Sequence, residues 1–130
     1  MLEVARFDPD NLKKYEAYDG NFTTWVDLKV DTPSCIAAFE EVRPGDNLSA
    51  PLHFWNDELL YVIEGGMQLE WSSPPMFNDH NKVIVRSGDL FLAKAGLSLK
   101  LQALENQTAR FLWVAMPRPR HFAREDRCGT

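Results

Sequence analysis

The residues whose types and spacing best suggest chemistry are His53 and Glu58. An imidazole and a carboxylate this close in sequence can pass a proton to and from a substrate, or can bind a metal ion together. Gly45 precedes the pair, Gly65 follows it, and Pro51 stands just before the histidine. The segment therefore predicts either a small active site or a site that only binds.

The elements that must position this pair are predicted to be β-strands in a single domain of 130 residues. Apolar and polar residues alternate with a period of two after residue 20, and turns that contain Gly, Pro or Asn separate the alternating segments. We expect an antiparallel sandwich or barrel. Asp8 and Pro9 predict a short helix before it, through Leu12 and Tyr15, that ends near Gly20. The expected strands span residues 22–30, 34–42, 59–63, 67–71, 82–86, 90–93, 97–103 and 109–116.

Two spaced motifs make the chain resemble a cupin, an antiparallel jelly-roll barrel, over residues 35–116. The first motif consists of Gly45, Pro51, His53, Glu58 and Gly65, and the second consists of Gly88, Lys94, Gly96, Leu99 and Ala103. The resemblance implies a short N-terminal helix and strand arm over residues 1–33, a barrel over 34–117 and a polar tail over 118–130. It also implies four metal-ligand positions, but Pro51 and Leu99 occupy two of them and cannot bind a metal, which leaves His53 and Glu58.

The second half of the chain is similar to the ends of ethanolamine-utilisation EutQ-type cupins. The similarity lies in residues 87–91, in Lys94 and Gly96, and in residues 109–117. Those proteins also carry an aliphatic residue where the second motif has its histidine. The resemblance implies a homodimer whose pocket works without the usual four-ligand metal. EutQ proteins have been associated with acetate kinase activity, but this chain contains no glycine-rich phosphate loop.

Strand alternation predicts which residues line the pocket. If His53 points inward, Trp55 does too, and an inward Glu58 brings Leu60 and Val62 with it. The expected lining is an imidazole, a carboxylate, an indole and a wall of leucines, which is typical of a small-molecule site. The predicted substrate-binding residues are Trp55, Leu60, Tyr61, Val62, Lys94, Leu99 and Leu101.

The first functional hypothesis is an enzyme in which His53 and Glu58 are catalytic. Burial would raise the pKa of the carboxyl and lower that of the imidazole, unless the two pair, and either outcome makes an acid or base near neutral pH. Such a pair suits a lyase, isomerase or cyclisation step on a small organic acid or related metabolite, without a cofactor. The first alternative is a metal-free module that binds or senses a small ligand. In a third interpretation the two residues are relics that are hydrogen-bonded to the barrel wall.

A divalent metal with a non-standard ligand set is a further alternative. The loop over residues 72–81 should lie at the same end of the barrel as Glu58, so that His53, Glu58 and His80 would supply three ligands. That set would support a metal-dependent lyase or oxygenase. The same loop contains Met76 and Phe77 and could instead be a lid or a plain hairpin connection.

Composition limits the classes of binding partner and the cellular locations that we expect for this protein. The net charge of −5 argues against nucleic acid, because a phosphate backbone requires a basic face. No apolar run reaches membrane-spanning length, and the N-terminus lacks the pattern of a signal peptide. Two cysteines, Cys35 and Cys128, are too few for a disulfide scaffold and suit a reducing cytoplasm. A small molecule and a second copy of the chain are the expected partners.

Overall fold

The structure is a computed structural model that describes residues 2–17, 22–48, 52–53 and 56–117. The predicted N-terminal helix is wrong. A single 3-10 turn, Pro9–Asn11, follows Asp8, whose carboxylate accepts a hydrogen bond from the Asp10 N–H at 3.0 Å. Strand β1 then runs over Lys13–Ala17 and pairs antiparallel with the next strand. A short isolated helix is only marginally stable. In this segment the pairing of β1 with β2 satisfies the backbone N–H and C=O groups instead.

The eight strands predicted from the alternation are all present, and their ends differ by at most two residues. Two further strands, β1 and β4, were not predicted, and the described part of β4 is Leu52–His53. The remaining bounds are β2 Phe22–Asp31, β3 Ile36–Val42, β5 Glu58–Glu64, β6 Gly66–Ser72, β7 Asn81–Arg86, β8 Leu90–Ala93, β9 Ser98–Ala103 and β10 Ala109–Ala115.

The strands form two antiparallel sheets with the apolar core between them. The six-stranded sheet has the order β1-β2-β3-β10-β5-β8, and the four-stranded sheet has the order β4-β9-β6-β7. Side chains alternate along β10, where Phe111 and Trp113 are buried while Leu112 and Val114 are half-buried on the other face. Within the described residues the sheets do not pair at the edge strands β7 and β8, so the predicted barrel is open along that side.

Helices contribute little to this fold. Among the described residues, no helix has the length and apolar character needed to cross a membrane.

The turn between β5 and β6 depends on Gly65. Its φ of +73° lies in the left-handed region, and a Cβ added there would stand 2.2 Å from the backbone oxygen of Thr108. Glycine avoids both problems because it has no Cβ. Gly88 also has a positive φ, +95°, but nothing lies within 4 Å of its added Cβ.

We expect Gly65→Ala to destabilise the protein more than Gly88→Ala does. The conformational cost of a left-handed residue, about 1–2 kcal/mol, is common to both substitutions. The close approach to Thr108 adds about 2 kcal/mol in Gly65→Ala alone, because the backbone oxygen cannot rotate away. Urea unfolding of the two variants and the wild type measures the difference, and equal losses would show that the Thr108 contact relaxes at no cost.

Candidate functional site

Glu58 is a carboxyl group buried between the two sheets. It is the first residue of β5, and its cross-strand partners are Ala115 on β10 and Ala93 on β8. Both neighbours are small, so the longer Glu58 side chain reaches the interior, where the residue is 7% exposed. There it accepts a hydrogen bond from the indole N–H of Trp113, which lies diagonally across from it on β10.

Burial raises the pKa of Glu58 to about 7, and the hydrogen bond from Trp113 lowers the pKa but only partly offsets this rise. The rise occurs because a neutral indole N–H stabilises a carboxylate less than water does. A carboxyl group that titrates near pH 7 is present in both forms under ordinary conditions. It can therefore act as an acid or as a base.

An apolar cavity of about 510 Å³ lies between the two sheets at their open side. Ala93, the cross-strand partner of Glu58, forms part of its wall, and Glu58 itself is not among the described lining residues. Two of the predicted substrate-binding residues, Lys94 and Leu99, line the cavity. The other described lining residues are Leu69, Trp71, Ser73, Pro74, Val83, Phe91, Leu92, Ala95 and Leu97.

Four other predicted substrate-binding residues lie elsewhere. Leu60, Val62 and Leu101 point inward, as expected, but belong to the packed core, where each is at most 2% exposed. Tyr61, also predicted to bind the substrate, is 42% exposed and is not among the described residues that line the cavity. Because side chains alternate along β5, an inward Glu58 places Tyr61 on the outer face.

The side chains predicted to accompany Glu58 in the first motif lie outside what the structure describes. Pro51 and Trp55 lie outside the described residues, and only the backbone of His53 is described. In the pairing of β4 with β9, His53 lies opposite Ser98 and Leu52 lies opposite Leu99. The catalytic role of His53 and the binding role of Trp55 stay predictions.

The metal set of His53, Glu58 and His80 stays a prediction, because the His53 side chain lies outside what the structure describes. Among the described side chains there is no group of three His, Cys, Asp or Glu that could hold a metal ion. His80 is exposed and lines a polar groove with Glu70, Lys82 and Lys100. Glu70 and Lys100 alternate with buried residues and so face outward from the four-stranded sheet, whereas Glu58 faces the interior. At the motif positions, Pro51 and Leu99 offer no donor atoms, so these residues do not fit a four-ligand cupin metal.

Sequence reasoning missed Glu40 and the role of Trp113. Glu40 is 3% exposed and shares the inward face of β3 with Ile36, Ala38 and Val42. The same alternation that identified Glu58 could have identified Glu40 as a second interior carboxyl. Nothing in the sequence pairs Trp113 with Glu58, because the two are separated by most of the second half of the chain and meet only when β5 and β10 pair.

The raised pKa of Glu58 predicts a stability that falls as pH rises. The ordinary pKa of 4.5 applies to the unfolded chain and about 7 to the folded one, so the folded state binds more protons between these values. The free energy of unfolding should therefore drop between about pH 4.5 and 7, by up to about 3 kcal/mol. The Glu58→Gln variant should lose this component. Urea unfolding at pH 5 and pH 8 measures it, with the exposed Glu105→Gln as the matched control.

A wild-type protein whose stability falls no more than that of Glu58→Gln between these pH values would contradict the raised pKa. Trp113→Phe provides a second check. It removes the hydrogen bond that lowers the pKa, so the Glu58 carboxyl in that variant should titrate higher still when followed by carbon-13 NMR.

Comparison with known proteins identifies the fold. No protein-family model matches the chain, and no curated protein is significantly similar to it. Among solved structures, an RmlC-like cupin family protein with a double-stranded β-helix fold from Methanocaldococcus jannaschii is 16% identical, with a TM-score of 0.65, over 90% of this chain and 92% of its own. The EutQ protein of Clostridium difficile is 18% identical, with a TM-score of 0.60, over 87% of this chain and 81% of its own.

An enzyme is also among the similar structures. The hydroxypropylphosphonic acid epoxidase of S. wedmorenis is 16% identical, with a TM-score of 0.63, over 87% of this chain. Our chain spans only 59% of that protein's length, and other structures of the epoxidase contain Fe(II). Likeness at this level of identity concerns the fold. The chain has the cupin fold, and EutQ is among the solved structures that it resembles.

Proposed function

We propose that this protein is a small-molecule cupin enzyme that performs acid/base chemistry, with Glu58 as the proton-transfer residue. The observation that carries the proposal is the buried Glu58 carboxyl with its pKa of about 7. A carboxyl with such a pKa is a general acid or base poised for neutral pH. The apolar cavity beside Ala93 provides the adjacent space for a substrate.

The geometry supports a division of labour within the carboxyl group. The Trp113 indole N–H donates to Oε1 of Glu58, which fixes the orientation of the group, and we assign proton transfer to its second oxygen. The surrounding core, including Leu60 and Leu99, excludes water and so maintains the raised pKa. A base of this kind can remove a proton beside the carbonyl of a small organic acid and return it at another atom. Lyase, isomerase and cyclisation reactions all use that step, with His53 proposed as the second proton-transfer group.

Exchange of substrate protons with solvent tests this proposal before the substrate is known. The protein is incubated in D₂O with panels of small organic acids, and loss of proton signals is followed by NMR. We expect the wild type to exchange carbon-bound protons of at least one acid. Glu58→Gln should slow that exchange by about 100-fold or more, because the amide cannot accept the proton.

Glu105→Gln is the matched control, since Glu105 is exposed on the turn before β10 and makes no contact with the cavity. The proposal fails if Glu58→Gln exchanges as fast as Glu105→Gln. Protein that binds an acid without ever exchanging or converting it would instead support a metal-free binding module. The apolar lining of the cavity favours that as the second candidate.

We also propose that the protein forms a homodimer through the outer face of the six-stranded sheet. Leu59, Tyr61, Ile63, Leu90 and Leu92 are between 37% and 63% exposed on that face. The register joins them into one patch, since Leu59 lies opposite Leu92 and Tyr61 lies opposite Leu90. A contiguous exposed apolar patch of this kind is typical of a protein interface.

The cytoplasmic location suggested by the cysteines remains a prediction.

Light scattering after size-exclusion chromatography tests the dimer. The expected mass is twice 14.9 kDa. Leu90→Glu should shift the protein to the monomer, because a charge in an apolar interface loses its hydration without gaining a partner. Ile84→Glu, an exposed apolar position on the other sheet at 49% exposure, is the control and should leave the mass unchanged. A monomeric wild type would refute the proposal.

A further inference from the structure

The apolar cavity opens sideways between two edge strands. Val83 lies on β7 and Phe91 and Leu92 lie on β8, and all three line the cavity. In the described part of the chain, β7 pairs only with β6, and β8 pairs only with β5. Among the described strands, no ladder of hydrogen bonds therefore closes this side of the two-sheet core. A ligand can enter here without breaking backbone pairing.

An apolar side chain flanks this opening where solvent would favour a polar one. Val83, which lies opposite the buried Leu69 and so shares its inward face, is 46% exposed. Behind it the cavity continues to Trp71, Phe91 and Leu99, of which Leu99 is 2% exposed. The route from solvent to the interior is thus apolar throughout, which suits a hydrocarbon or aromatic body.

One end of the cavity carries a positive charge. Of the described residues that line it, Lys94 alone is charged, and it is exposed in the turn between β8 and β9. The turn is held from both sides, since Asp57 accepts a hydrogen bond from the Ala95 N–H at 2.9 Å and Pro74 packs over Gly96. Lys94 therefore lies in a fixed turn at the edge of the cavity.

We infer that the ligand of this cavity is an amphipathic carboxylate, with an aliphatic or aromatic body inside and its anionic group at Lys94. An apolar cavity cannot solvate a charge, so the charged end must stay at the rim. The volume of about 510 Å³ suits a single small molecule. This inference rests on the proposed function and names its substrate class.

The position of Lys94 also sets which carbons approach Glu58. Lys94 directly follows Ala93, and Ala93 lies opposite Glu58 in the pairing of β8 with β5. A carboxylate held by Lys94 places its neighbouring carbons against Ala93, on the side of the Glu58 carboxyl. Proton transfer would then occur near the carboxylate end of the ligand, in those acids that carry a ketone carbonyl next to the reacting C–H bond.

Binding of matched charged and neutral probes tests the inference. Octanoate and 3-phenylpropanoate are compared with 1-octanol and 3-phenylpropan-1-ol by displacement of a fluorescent apolar dye. We expect both carboxylates to bind, and Lys94→Gln to weaken them by about tenfold while leaving the alcohols unchanged. Lys100→Gln, which alters a lysine of the outer groove, is the matched control. Val83→Trp should weaken all four probes, because the larger side chain takes up part of the cavity that Val83 lines.

Three outcomes would overturn the inference: no binding of either carboxylate to the wild type, equal effects of Lys94→Gln on acids and alcohols, or full binding in Val83→Trp. Circular dichroism of each variant confirms that it is folded. Glu58→Gln separates this inference from the proposed function. If that variant and the wild type bind octanoate alike and neither exchanges substrate protons, the ligand class stands and the enzyme proposal fails.

Discussion

The register of strand β5 determines which side chains face the core and which lie on the outer face of the six-stranded sheet, because its side chains alternate between the two. Glu58, Leu60 and Val62 point inward, and the residues between them point outward. The strand lies between β10 and β8, so the same alternation continues across these three adjacent strands. The interior carboxyl and the exposed apolar patch on the six-stranded sheet are therefore two results of one register, and a slip by one residue would exchange them.

Two buried carboxyl groups on these strands, Glu41 and Glu58, have hydrogen-bond partners of different charge. Glu41 is also buried, but it accepts hydrogen bonds from two guanidinium groups, those of Arg43 at 3.0 Å and Arg110 at 2.8 Å. Arg110 also bonds to Glu64, which ties β3, β10 and β5 together. Glu58 has a neutral indole N–H as its described partner. A full positive charge offsets the cost of burying a carboxylate, whereas an indole dipole does so only in part.

The open side between β7 and β8 gives this cupin fold a cavity whose wall includes Ala93, the cross-strand partner of Glu58. The cavity wall combines strands of both sheets with the Ser73–Pro74 turn, so its shape depends on how the sheets diverge at their edges. The polar groove around His80 lies on the other face of the four-stranded sheet and is separated from the interior by β6 and β9. Trp71 lines both the apolar cavity and the polar groove, so the two approach each other at this residue.

Local patterns in the sequence determined the strands, the Gly65 turn and the inward direction of Glu58, because alternation and positive φ are properties of a few consecutive residues. The N-terminal helix was predicted wrongly because β1 is stabilised by its pairing with β2, which no local signal reports. Tertiary structure alone decided that Trp113 is the hydrogen-bond donor to Glu58 and that the cavity opens at β7 and β8. Each of these depends on which strands become neighbours and which stay at an edge. That choice follows from contacts between residues far apart in the chain, and it cannot be read from any single segment.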